Sequence, residues 1–151
     1  MDTDQTPPPE PTPEPPPTPE KVYELVKQWI SRFERAVRMK SYTLCPMLFH
    51  PNVVWMGIDS NITSGLEQTM DQEFRSLWPG TLSFTVDFAR AKIVPEGGTL
   101  IVIAPWMYAS LIKGAPQKHG RLTVILGVFP GGKILCLHGH QSLNPITRIL
   151  P

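Results

Sequence analysis

Residues 120–145, GRLTVILGVFPGGKILCLHGHQSLNP, decide how the rest of this chain must be arranged. Two apolar runs flank Pro130-Gly131-Gly132, the chemistry of a tight turn, and predict a β-hairpin near the C-terminus. In the first run Leu122, Val124, Leu126 and Val128 share one parity, while Ile125 and Phe129 hold the other. A strand with one wet face alternates apolar and polar residues. This run does not, so cover is expected on both of its faces. Helices can cover one. The chain has few of them, and a second copy of the chain is the natural cover for the other face.

Working back from the hairpin, a polar loop at 113–120 is preceded by a strand at 99–110, and Glu96-Gly97-Gly98 supplies the turn before it. Upstream again, Leu82, Phe84, Val86 and Phe88 alternate with Ser83, Thr85 and Asp87; beyond Phe88 the apolar parity passes to Ala89, Ala91 and Ile93. A flip inside one strand predicts a bulge that bends the sheet. Ser64-Gly65-Leu66-Glu67 has the pattern of a capping box, and Leu66, Met70, Phe74 and Leu77 follow at helical spacing until Trp78-Pro79-Gly80 ends the helix. NVVWMGI at 52–58 reads as a strand and Asp59-Ser60-Asn61 as a turn.

The N-terminal helix opens at Thr18-Pro19-Glu20, cap, first-turn proline and dipole-matched acid in order. Val22, Leu25, Val26, Trp29, Phe33, Ala36 and Val37 then line one side of it to about Lys40. A short second helix is expected with Thr43 as cap and Pro46 in its first turn, stopping before Pro51. Helices first, then a four-strand antiparallel meander, makes an α+β fold. The sheet is expected to curve into a cone, with three N-terminal helices on its concave face and a pocket at its open end.

A net charge of +1 with 18% charged residues gives none of the basic surface that a nucleic-acid binder shows. No apolar run approaches the roughly 20 residues of a membrane span. The acidic, proline-rich start is unlike a secretory signal. The two cysteines, Cys45 and Cys136, are too few for a disulfide framework, and two buried free thiols in a reducing cytoplasm are expected. Residues 1–18 have prolines at almost every second place and no apolar side chain after Met1, so a solvated, disordered tail is expected there and the folded domain over 19–148. A proline-binding partner could dock on the tail, but a spacer is the simpler reading.

Three places carry a resemblance to the nuclear-transport-factor-2-like superfamily and, within it, to SnoaL-like domains. They are FHPNVVWMG at 49–57, Ser64-Gly65 leading into the helix that holds Phe74, and ILCLHGHQSLNP at 134–145. The last also resembles the ending of the calcium/calmodulin-dependent kinase association domain. The resemblance spans residues 20–146. It implies a curved sheet filled by helices on its concave side and a convex side used for homodimerisation. It also implies activities that range over isomerases, cyclases, dehydratases, epoxide hydrolases and proteins that only bind or assemble.

In the steroid isomerases of this superfamily a carboxylate base follows the first strand and a tyrosine sits on the first helix. Those positions fall at about Met56 and Phe33 here, both apolar, which does not support that chemistry. The epoxide hydrolases' Asp, Arg and Asp arrangement has no match. His138 and His140 share a strand face, and with Asp87 as orienting partner either imidazole would serve as a base near neutral pH. The simpler reading is a structural pair bonded to neighbouring carbonyls or carboxylates. Two histidines without a third ligand make no metal set, and no cofactor is implied. Trp55, Trp106 and Tyr108, with Phe33 and Met56, are candidates to line a cavity for a small hydrophobic ligand, and would serve equally as core. Arg121 reads as a solvated strand end more readily than as an anion site, and Asp59 as a turn residue. The sequence therefore points first to a ligand-binding homodimer, then to an isomerase, cyclase or dehydratase of small cyclic substrates, and third to an assembly module.

Overall fold

Thr18 Oγ1 accepts the backbone N–H of Lys21 at 3.2 Å, and from that cap the first helix, α1, runs Pro19–Met39. The computed structural model describes residues 6–10, 17–58 and 61–145. The expected tail therefore falls largely outside the described residues, as do Asp59-Ser60 of the expected turn and residues 146–148 at the end of the expected domain. α1 buries Val22, Val26, Trp29, Ile30, Phe33, Ala36 and Val37, one continuous stripe at helical spacing. It ends at Lys40, which adopts φ 51° as a left-handed cap and sends its ammonium group to the Thr81 carbonyl. Trp29 Nε1 donates to the Leu48 carbonyl at 2.9 Å and so fastens α1 to the next helix.

The second helix is shorter than its sequence suggests. A 3-10 turn at Tyr42–Leu44 leads into α2, Cys45–Leu48, and strand β1 begins at once, Phe49–Met56. β2 follows at Ile62–Ser64. Ser64 is not a helix cap: it still pairs with Val54 in the sheet, and the chain enters the helix through Gly65 at φ 90°. The reciprocal bond of a capping box is made by Gln68, whose Oε1 accepts the Ser64 N–H at 2.7 Å.

The helix that follows is interrupted. It runs as α3 (Leu66–Thr69), a π turn at Met70–Phe74, α4 (Arg75–Leu77) and a 3-10 turn at Trp78–Gly80. The extra residue per turn of the π segment rotates Glu73 inward, where it is only 4% exposed. Its Oε1 accepts the Ile58 N–H at 3.1 Å.

Five strands complete the sheet, the first of the four expected being split in two. β3 (Thr81–Val86) and β4 (Lys92–Glu96) lie end to end along the same edge of β5 (Thr99–Ser110). The parity change beyond Phe88 is taken up by a 3-10 turn at Phe88–Arg90, not by a bulge within one strand. β6 (Lys118–Phe129) and β7 (Lys133–Leu143) form the hairpin, joined by Pro130–Gly132. The order across the sheet is β2-β1-β7-β6-β5-β3, with β4 also on β5. β1 pairs with β7 in parallel, so the sheet is mixed and open, while the meander and the β1–β2 pair are antiparallel.

The concave side carries the core. Phe33 sits at its centre, its ring 5.2–6.4 Å from those of Trp29, Phe49, Trp55, Trp78 and Phe84. Cys45 and Cys136 are buried free thiols. No helix among the described residues is long and apolar enough to cross a membrane.

Candidate ligand cavity

The two parities of the hairpin face different surroundings, and one bulge sets which is which. Ile125 pairs with His138 but Leu126 pairs with Cys136, so Leu137 is an extra residue in β7. Cys136, before it, faces the core. Strict alternation would have sent His138 and His140 the same way. The extra residue flips them to the convex face, and Gly139 and Gln141 point inward instead.

On the convex face the side chains form two cross-strand rows. One runs Val54, His138, Ile125, Ile101, Val94; the other Ile62, Met56, His140, Thr123, Ile103, Lys92. His138 Nδ1 donates to the Val54 carbonyl at 2.9 Å, a bond that pins β7 to β1 and assigns the proton to that nitrogen. Asp87 lies past the end of β3, three strands away from β7 in the sheet order, and its Oδ2 accepts Arg90 Nε at 2.7 Å. That guanidinium holds the Asp87 carboxyl below its usual range. The structure therefore does not bring Asp87 to either histidine, nor any of the three to the inside of the cone. Among the described residues no three His, Cys, Asp or Glu side chains gather as a metal set.

Inside the cone, a cavity of about 90 Å3 lies between the C-terminal half of α1, α4 and the far ends of β5, β6 and β7. Phe33, Trp106 and Tyr108, three of the five residues expected there, line it. Trp55 does not: it is fully buried in the core, its ring lying over Gly139, where a Cβ would come within 2.0 Å of it. Met56 does not either, being on the convex face beside His140. Sequence reasoning missed Thr81, Lys118 and Gln141 of the lining, together with Leu77, Phe84 and Leu143. The signal was available in outline, since Lys118, Gly120 and Leu122 share the parity of the core-facing run.

The floor of the cavity depends on Gly120, which pairs with Trp106 on one side and Leu143 on the other. Lacking a side chain, Gly120 lets the indole of Trp106 lie against its backbone. Trp106 is 2% exposed and its Nε1–H has no acceptor among the described residues. Gln141 is 7% exposed, and its amide has no hydrogen-bond partner among the described residues. Lys118 stands at the mouth with its Nζ 5.6 Å from the centre of the Tyr108 ring. Among the described residues no Asp, Glu or His belongs to the lining.

No protein-family model matches the sequence, and no curated protein matches it. Solved structures do match in shape. An NTF2-like superfamily protein from Salmonella enterica serovar Typhimurium superposes with a TM-score of 0.73 at 17% identity, covering 87% of this chain and 97% of that one. A candidate dehydratase of the NTF2-like family from Streptomyces avermitilis gives 0.72 at 16% identity, over 85% of this chain and 100% of that one. A candidate ketosteroid isomerase from Shewanella frigidimarina gives 0.67 at 15% identity, over 80% and 97%. With its helix-filled, curved and open mixed sheet, the chain has the nuclear-transport-factor-2-like fold.

Proposed function

We propose that this chain is a SnoaL-like homodimer whose cone binds a small, mostly apolar ligand. The observation that carries the reading is the composition of the cavity. Its walls are mostly aromatic and aliphatic, Lys118 and Gln141 in them have no hydrogen-bond partner among the described residues, and no described carboxylate or imidazole stands there to move a proton. That combination suits retention of a ligand better than acid–base turnover. The two neighbours described as candidate dehydratase and candidate isomerase support a cone of this shape as a holder of small molecules.

The homodimer rests on the convex face. Val54, Ile62, Val94 and Ile103 stand there 37–61% exposed, on the two rows that cross the sheet. A sheet face of this kind, largely apolar and continuous over six strands, is the surface a second copy would cover.

Two measurements test the reading. Titration with toluene or benzamide should move the NMR resonances of Phe33, Trp106 and Tyr108, and unmoved resonances at millimolar probe would end the pocket reading. Sedimentation equilibrium should give a dimer that Ile103→Lys splits into folded monomers. A monomeric parent would remove the dimer.

A further inference from the structure

The cavity is unbalanced in charge and in hydrogen-bonding sense, and the imbalance specifies a ligand class. Among its described lining residues Lys118 is the one ionisable cation, and none is a carboxylate. Among the described residues the ion pairs are Arg75 with Asp71 and Arg90 with Asp87, so Lys118 faces no described carboxylate. The Lys118 ammonium can only donate, whereas the Trp106 indole N–H is sealed from the cavity by the packing of its ring on Gly120. The Thr81 hydroxyl already donates to the Leu77 carbonyl at 2.9 Å, so what it offers the cavity is reduced. Gln141 can donate through its amide nitrogen, and this residue is more than nine-tenths buried with no hydrogen-bond partner among the described residues.

The register brings these groups around one cell of the sheet. Lys118 and Leu122 flank Gly120 on β6, each about 7 Å away along the strand. Lys118 is opposite Tyr108, Gly120 is opposite Trp106 and Leu143, and Gln141 is opposite Leu122. The Trp106 indole fills the position over Gly120, and Lys118 and Gln141 stand on either side of it as donors. Beyond it, toward α1 and α4, the wall is Phe33, Phe84 and Leu77. One end of the cavity asks for an anion and the other for hydrocarbon.

We propose that the ligand is a small monocarboxylate with a short-chain or single-ring apolar body. The carboxylate takes the Lys118 ammonium at the mouth and the Gln141 amide further in, and the body rests against Phe33 and Phe84. A carboxylate supplies the acceptors that both donors lack among the described residues, and its charge offsets that of Lys118. Size limits the body. An engineered cavity of about 150 Å3 holds one benzene, so 90 Å3 admits a branched four-carbon chain, or a ring seated only in part with its substituent in the mouth. The inference deepens the binding function proposed above and rests on it.

The test pairs each acid with its neutral isostere: benzoate with benzamide and isobutyrate with isobutyramide, by calorimetry and NMR on the full chain. Each acid is expected to bind at least about tenfold more tightly than its amide at low salt. Lys118→Gln, at an exposed position that leaves the fold intact, should bring the acid down to its amide. Gln141→Leu should weaken both acids and leave toluene binding unchanged or improved. Acids and amides of equal affinity, or a Lys118→Gln variant that keeps the preference, would overturn the carboxylate assignment while leaving the cavity's binding role standing. Failure of acids, amides and toluene alike would remove both.

Discussion

The indole of Trp106 lies so close to Gly120 that a Cβ on the glycine would come within 2.3 Å of ring atom Cζ2, and within 2.2 Å of the Ser142 carbonyl oxygen. The first clash can be relieved only by moving the indole into the cavity. The second is with backbone and cannot be relieved by a rotamer. Gly120→Ala is therefore expected to cost about 1–3 kcal/mol, the range for overpacking, and to abolish probe binding. Urea unfolding and a toluene titration on the same variant measure the two effects. Full stability with full binding would show that the floor is softer than this contact implies.

A second close approach sits under the π turn. A Cβ at Gly57 would fall 1.9 Å from Glu73 Oε1, because that carboxylate occupies the space beside the end of β1 to hold the Ile58 N–H. Ile58 in turn lines the cavity. Glu73→Ala leaves that N–H without this acceptor, and a loss of about 1–3 kcal/mol is expected, with weaker probe binding as Ile58 loosens. Glu73→Gln should recover much of both, since an amide oxygen can accept the same bond. Melting temperature and affinity measured together check the pair of outcomes.

His138→Ala with His140→Ala is expected to leave ligand affinity unchanged, because both residues face the convex side of the sheet. The double variant loses the bond from His138 Nδ1 to the Val54 carbonyl, worth about 1 kcal/mol, and should melt slightly lower. Asp87→Asn should likewise leave binding untouched. A ligand affinity or turnover that depends on any of the three would revive the acid–base reading.

The two thiols predict an alkaline limit to stability. Burial pushes the Cys45 thiol up from 9.0 to about 11, and the buried Cys136 further in the same direction. The folded protein therefore holds these protons more tightly than the unfolded chain does. Their contribution is complete below pH about 9, where the unfolded thiols begin to ionise, and is lost as pH rises through the folded values. Unfolding free energy should decline above pH 9, and Cys45→Ala with Cys136→Ala should flatten that decline. In the native state neither thiol should react with a maleimide at neutral pH.

Much of the architecture was legible because it is written in local periodicity. The apolar stripe of α1 from Val22 to Val37 and the doubly apolar run from Leu122 to Phe129 each declare an element and a buried face. What escaped depends on residues distant in sequence. The capping pattern at Ser64 was overridden by sheet pairing with Val54. The helical spacing from Leu66 to Leu77 continues through the π turn without betraying it, since an apolar stripe is tolerant of one added residue. Gly57, beside the carboxylate that the turn delivers, was the available sign.

The site shows the same division more sharply. Sequence alone marked Phe33, Trp106 and Tyr108 as aromatic groups of the cavity or core, and Cys45 and Cys136 as buried free thiols. Only the tertiary structure decided which of His138, Gly139, His140 and Gln141 look into the cone. Side chains alternate along a strand with period two, so the single extra residue at Leu137 exchanges the inner and outer sets. That bulge is fixed by the pairing of β7 with both β6 and β1, which brings together segments more than 80 residues apart, as in the bond from His138 to Val54. No pattern within ten residues of His138 records it.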